Sequence, residues 1–166
     1  MITRAASPTH PGLSHPGSHR PSDVREATVT VKDEIQARAL FEERYRNAPS
    51  LLARRIEQRV IGGDWGANGF TTMAQADTLA RELGLSAADR LLDLGTGRGW
   101  PGLYLAARTG CRVVLTDLPL EGLRVAASRA ASEALLARTG VVASAASGLP
   151  FRAGSFDVVI HTDVLC

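Results

Sequence analysis

Asp93-x-Gly95-x-Gly97-x-Gly99 holds the residues of this 166-residue chain best spaced to bind and orient a small charged molecule. The apolar run Leu91-Leu92-Asp93-Leu94 carries an acid near its end, glycines follow at alternate positions, and Trp100-Pro101-Gly102 leads into an Ala/Leu pattern. Glycines there remove the Cβ atoms that block close approach and permit positive φ, so backbone amides can cradle a nucleotide-like ligand. About twenty residues on, Asp117 is placed to take ribose hydroxyls with its carboxylate. Spacing alone leaves the nucleotide open. Gly97-x-Gly99-x-x-Gly102 with Asp117 also matches the dinucleotide fingerprint and would suit an NAD(P)-dependent oxidoreductase.

The elements that must position these residues surround them. Leu91, Leu92 and Leu94 are apolar on both faces, as in a strand covered on both sides of a parallel sheet. Pro101 suits the first turn of a helix, where its missing N–H costs nothing, and Leu103, Leu105, Ala106 and Ala107 continue that helix. Arg112-Val113-Val114-Leu115-Thr116 is a second strand, ending at Asp117. The spacing predicts a helix from Leu120 to Arg138, stopped by Gly140, and then a third strand over Val141–Ala145. Gly148 to Gly154 is a loop by composition, and Phe156 to His161 is a fourth strand. The alternation implies an α/β fold with ligands bound beyond the carboxyl ends of the strands. It is a Rossmann-like, doubly wound parallel sheet, incomplete at about four strands, with an N-terminal helical extension and a disordered tail.

Three motifs in order resemble the class I S-adenosylmethionine-dependent methyltransferases over roughly the second half of the chain. They are Asp93-x-Gly95-x-Gly97-x-Gly99, Thr116-Asp117-Leu118-Pro119, and the segment Leu149-Pro150-Phe151 to Ser155-Phe156-Asp157-Val158-Val159. The resemblance implies S-adenosylmethionine as cofactor and transfer of its methyl group to an acceptor, a small molecule. By position it implies that Gly95, Thr96, Gly97 and Gly99 lie under the methionyl part and the ribose. Asp93 would orient that loop and the methionine amino group, Asp117 would take the two ribose hydroxyls, and Leu118 would lie against the adenine. Ala145, Ala146 and Ser147 would border the adenine edge, and His161 would sit near the methionine end and the substrate mouth. Members of the family often carry an acid just after the third strand that meets the adenine amino group; Ala145 and Ser147 stand at the corresponding places here. The family fold usually has seven strands, whereas this sequence runs to Cys166, just beyond the fourth, so the resemblance implies a truncated domain. Its fourth strand would then be an apolar edge open to pairing with a second copy.

Composition narrows the partners. A net charge of +2 is too small to argue for nucleic acid, and no run is long or apolar enough to span a membrane. Cys111 and Cys166 form no CxxC pair or metal spacing, so they read as reduced thiols in a cytoplasmic protein. The first residues carry no apolar signal region. Residues 1–30, rich in Pro, Ser, His and Gly, read as a disordered tail. His10, His15 and His19 recur there, but ordering a floppy tail around a metal carries a large entropic cost, so no metal site is expected.

Residues 31–85 read as a helical segment and cofactor lid, and residues 86–166 as the cofactor-binding domain. Asp33 to Tyr45 and Ser50 to Ile61 are amphipathic helices, the second with Ser50 as N-cap. Arg44, Arg46, Arg54, Arg55 and Arg59 interleave there with Glu42, Glu43 and Glu57, as a solvated surface with local ion pairs or as a basic face for an acidic substrate. The glycine-rich stretch from Gly62 to Phe70 precedes a helix over Thr72 to Leu83. Trp65 is its candidate for an aromatic lid over the cofactor, unless Trp65 and Phe70 merely anchor the loop. Trp100 either flanks the methionyl chain or packs the helix start. His161 and Asp163 are the proton-transfer candidates near the strand ends. Two functions remain: a methyltransferase acting on a small-molecule acceptor, and a non-catalytic cofactor-binding or subunit-interaction module. An oxidoreductase fits the Leu149 to Val159 segment poorly.

Overall fold

The computed structural model describes residues 2–4 and 31–163. In chain order the elements are β1 (Ile2–Arg4), α1 (Val31–Arg46), α2 (Leu51–Val60), α3 (Met73–Glu82), β2 (Arg90–Leu94), α4 (Gly102–Thr109), β3 (Arg112–Asp117), α5 (Leu120–Ser132), β4 (Thr139–Ala143) and β5 (Val158–His161). Single 3₁₀ turns at Leu136–Arg138 and Ala146–Gly148 flank β4. The strands form one sheet in the order β1-β5-β2-β3-β4. β5, β2, β3 and β4 run parallel, and β1 is antiparallel to β5.

Apolar strands buried on both faces explain the centre of the sheet. Leu91, Val113, Leu115, Val158 and Ile160 are fully buried together with Leu103 and Leu105 of α4. The register sets Leu94 beside both Thr116 and His161, and Asp117 beside Ala143, so the carboxyl ends of the parallel strands share one edge. Chain order reverses on either side of β2, which makes its carboxyl end the switch point where such sheets bind ligands. This bears out the Rossmann-like α/β fold.

Four expectations change. The edge of β5, expected to be open for pairing with a second copy, is occupied by β1, with Ile2 opposite Ile160 and Arg4 opposite Val158. Residues 2–4 are therefore strand where a disordered tail was expected; the rest of that tail, with His10, His15 and His19, lies outside the described residues, as does Cys166. The helix expected to reach Arg138 ends at Ser132. Ala134 adopts φ 57, and the amides of Ala134 and Leu135 donate to the carbonyls of Ala131 and Ala130. That is a Schellman closure, with Leu135 turned into the core. Gly140, expected to stop the helix, instead lies inside β4, which begins two residues earlier than expected.

An alanine in the left-handed region costs about 1–2 kcal/mol, part of which a glycine returns to the flexibility of the unfolded chain. Ala134→Gly is therefore expected to stabilise the protein by roughly 0.5–1 kcal/mol. Thermal unfolding should show a Tm gain of about 1–4 °C; a loss would mean that Ala134 is held by contacts other than this closure.

Candidate functional site

The glycine turn is built on Asp93. This carboxylate, only 1% exposed, accepts the Thr96 hydroxyl at 2.8 Å and the Gly102 amide at 3.0 Å, both on Oδ2. One oxygen thus ties the strand to the turn and to the first amide of α4. The amides of Gly95 and Thr96 cross to the Thr116 carbonyl on β3 at 2.8 and 3.1 Å. Asp93 Oδ1 is buried without a partner among the described residues. Burial pushes the Asp93 carboxyl up to about 7, its two hydrogen bonds pull the other way, and the charge of Asp117 adds to the rise.

Asp117 faces the turn from the end of β3. Its Oδ2 accepts the Gly97 amide at 2.7 Å and its Oδ1 accepts the Leu118 amide at 2.8 Å. Burial holds this carboxyl above its ordinary range against the pull of those two amides. Gly97 has φ 57, and a Cβ there would come within 3.0 Å of the Tyr45 hydroxyl, so a side chain at this position would be strained and would press on Tyr45. A cavity of ≈300 Å³ lies above the turn. Its floor is Gly95, Thr96, Gly97 and Asp117; its walls come from Phe41, Arg44 and Tyr45 of α1, from Asn68 to Phe70, from Trp100 and from Thr162 and Asp163. Burial and the nearby Asp117 charge raise the Tyr45 phenol above its usual range, which keeps it neutral.

Helix ends hold the walls. Both carboxylate oxygens of Glu42 accept amides at the start of α5, from Leu120 at 2.7 Å and Glu121 at 3.1 Å. Arg98, inside the glycine turn, donates Nη2 to the carbonyls of Arg44, Tyr45 and Asn47 at the end of α1. Both contacts put the favourable charge at a helix terminus. Glu57 of α2 accepts the amides of Trp65 and Ala67 at 2.8 and 3.0 Å, fixing the loop. Asp163 accepts the amide and hydroxyl of Thr71 at 3.2 and 2.9 Å, closing the loop onto the end of β5. Glu42 keeps the local ion pair expected of it, with Arg38 at 3.7 Å, but it and Glu57 also anchor backbone amides.

The structure brings together Gly95, Thr96, Gly97 and Asp117 on the cavity floor, with Asp93 directly beneath. Trp65 is not on the cavity wall. It packs edge-on against Tyr104 at 5.3 Å and against Trp100 at 6.2 Å, with Arg129 over its ring, so it anchors the loop as the alternative reading had it. Phe70, 83% exposed, is the loop aromatic that lines the cavity. Gly99 faces Leu103 and Ala126, which makes it a packing position and not part of the cradle. Leu118, Ala146, Ser147 and His161 follow or end the strands at the same sheet edge but lie outside the cavity lining; burial lowers the His161 imidazole. Sequence reading missed Phe41, Tyr45 and Asn68. The spacing of Phe41 and Tyr45, stacked at 5.8 Å one helical turn apart, was the available signal; Asn68 offered none.

Comparison with known proteins bears on the family. Residues 91–166 match the model of a methyltransferase domain family. The chain is 32% identical over 119 residues to methyltransferase GfsG of Streptomyces halstedii, an alignment spanning 68% of this chain and 43% of that protein. It is 36% identical over 85 residues to the erythromycin 3''-O-methyltransferase of Saccharopolyspora erythraea, spanning 51% of this chain and 28% of the relative. The chain thus spans less than half the length of either relative. Among solved structures, a Methanococcus maripaludis protein described as a putative S-adenosyl-L-methionine-dependent methyltransferase superposes with TM-score 0.58 at 15% identity, over 75% of this chain and 51% of that one. That likeness is one of fold.

The buried acid makes stability depend on pH. Asp93 titrates near 7 in the folded chain against 3.8 as the ordinary value, so the native state binds a proton the unfolded state has released. Its contribution is present below pH 4 and lost as pH rises through about 7. Asp93→Asn cannot ionise, so urea midpoints from pH 5.5 to 8.5 should shift in the variant's favour relative to wild type as pH rises. A difference that does not change with pH would show that Asp93 is already ionised throughout that range.

Proposed function

The chain belongs to the class I S-adenosylmethionine-dependent methyltransferases, and from that membership we propose that it binds S-adenosylmethionine above the glycine turn and transfers a methyl group to a small-molecule acceptor. The observation that carries this reading is the pairing of Asp117 with Gly97 across the turn, over a buried Asp93. The residues fit the cofactor. A Cβ on Gly97 would narrow the space beneath Tyr45, and each Asp117 oxygen, already holding one amide, keeps lone-pair capacity for a ribose hydroxyl.

When bound, S-adenosylmethionine supplies a methyl group on a positively charged sulfur that departs as a neutral thioether. Asp117 receives the ribose hydroxyls. The Gly95 to Gly97 backbone supports the methionyl part, and Asp93 positions that backbone through Thr96 and Gly102 without touching the ligand. Leu118 and the turn at Ala146 and Ser147 border the adenine, and His161 stands toward the methionine end. Phe41, Tyr45 and Phe70 exclude water over the site. Holding acceptor and methyl group in line supplies much of the rate. A base is needed only for an acceptor that arrives protonated, and Asp163, on the cavity wall, is the carboxylate placed to serve.

A small-molecule acceptor is supported by the relative named for erythromycin and by the modest size of the cavity. We also propose a cytoplasmic setting; Cys111 is buried and forms no disulfide among the described residues. None of the helices among the described residues is long and apolar enough to cross a membrane.

Calorimetry should show saturable binding of S-adenosylmethionine and S-adenosylhomocysteine. Asp117→Ala removes charge-assisted hydrogen bonds of about 1.5–3 kcal/mol, which corresponds to an affinity loss of about 10- to 100-fold. A folded wild-type sample that binds neither compound would refute the assignment.

A further inference from the structure

A second, larger groove of ≈560 Å³ adjoins the cofactor cleft. Ala53, Ile56 and Val60 of α2 form one side, and Ala67 and Phe70 of the loop form part of the other. Arg44, Asn68, Gly69 and Phe70 belong to both cavities, so the two share a wall. The size is that of an ordinary small-molecule site.

Two features of this groove point to its occupant. Its lining is mostly apolar, yet it contains two buried N–H groups that meet no acceptor at good geometry among the described residues, Asn68 Nδ2 and Arg98 Nε. Arg98 commits its Nη2 to the end of α1 and leaves Nε unused. Asn68 is a hydrogen-bonding neighbour of the Tyr45 hydroxyl, which it holds down against burial, but among the described residues its Nδ2 meets no acceptor at good geometry. Buried donors without acceptors are rare in folded proteins and call for a partner. The second feature is charge. The cations Arg44 and Arg98 stand on the groove wall, and Glu57, the acid in the lining, is engaged with the Trp65 and Ala67 amides. A cationic amine would meet like charge there, whereas an oxygen with free lone pairs would meet donors.

We propose that this groove is the acceptor site and that it takes an apolar small molecule bearing an oxygen, which receives the free N–H groups of Asn68 and Arg98 beside the cofactor cleft. The inference rests on the methyltransferase reading and names the class of its acceptor. Ile56 and Val60 hold the apolar body, and Phe70, common to both cavities, separates that body from the cofactor.

The test uses 1-naphthol as an oxygen-bearing probe and 1-methylnaphthalene as its oxygen-free counterpart. Both are titrated by fluorescence into the full chain saturated with S-adenosylhomocysteine. Wild type should bind 1-naphthol saturably and about 3- to 10-fold more tightly than 1-methylnaphthalene, the worth of one or two hydrogen bonds. Asn68→Ala should shrink that preference while leaving 1-methylnaphthalene binding in place. Ile56→Glu, on the solvent-facing side of α2, should weaken both probes at least tenfold and leave S-adenosylhomocysteine affinity within twofold of wild type. Equal affinity for the two probes, insensitivity to Ile56→Glu, or competition between 1-naphthol and S-adenosylhomocysteine would each overturn the proposal. Failure of wild type to bind S-adenosylhomocysteine would instead strike the methyltransferase reading.

Discussion

A single oxygen, Asp93 Oδ2, joins the end of β2, the glycine turn and the start of α4. The site depends on how closely α4 approaches that oxygen. A Cβ on Gly102 would lie 2.6 Å from Asp93 Oδ2 and 2.7 Å from the Leu115 side chain, so the last glycine of the motif serves helix–strand packing. With α4 this close, its first amide satisfies the acid, and the turn between them has little freedom left. The acid is buried, carries an unpartnered Oδ1, and is raised toward neutrality by that burial. An unpaired buried charge is costly, and proton uptake offers the chain a way to lower that cost. The turn is therefore rigid at some expense in stability, a trade common where geometry matters more than stability.

The same turn also holds the N-terminal helices. Arg98, between Gly97 and Gly99, closes the end of α1, and Glu42 from α1 closes the start of α5. Each contact pairs a charged side chain with the complementary pole of a helix, worth about 0.3–1 kcal/mol when exposed and up to about 2 when partly buried. Their directions are opposite, so α1 is held at two points about one helical turn apart, and Tyr45 is fixed over Gly97 between them. Cradle and cover are consequently one mechanical unit: displacing α1 would break contacts made by the turn itself.

The sheet and its floor were legible in the sequence because they rest on short-range signals. Continuous apolar strands, alternating glycines and an acid at each strand end specify β2, β3 and the Asp93 to Gly97 geometry within thirty residues of one another. The walls were not legible because their partners are far apart. The contacts from Glu42 to Leu120, Arg98 to Asn47 and Thr71 to Asp163 span 78, 51 and 92 positions, and nothing in a charge pattern identifies such partners. The end of α5 escaped for a different reason. Its left-handed residue is Ala134 where glycine is the usual marker, so composition carried no stop signal until Gly140. Trp65 misled because a tryptophan in a glycine-rich loop looks the same whether it faces ligand or core. Its ring finds Tyr104 and Trp100, and the more exposed Phe70 is left at the cavity.

Charge divides between the two cavities in a way that suits the proposed chemistry. Asp117 lines the cofactor cleft with Asp93 beneath it, and burial raises both. The charge on Asp117 also makes ionisation of Asp93 harder. Two acids held in this state are relieved by a neighbouring positive charge, so the cleft favours a cationic ligand through the acids' own desolvation as well as by direct attraction. The adjoining groove has the reverse bias, with Arg98 on its wall in addition to Arg44, which it shares with the cleft, and Glu57 turned to backbone amides. Asn68 stands at the shared wall as a neutral donor, beside a Tyr45 phenol that burial keeps protonated. A positively charged methyl donor and an oxygen-bearing acceptor would thus each find the cavity whose charge suits it, and exchanging them would set the cation beside Arg98 and away from Asp117. On the proposed reading, this asymmetry orders the two ligands before any contact specific to the acceptor is made.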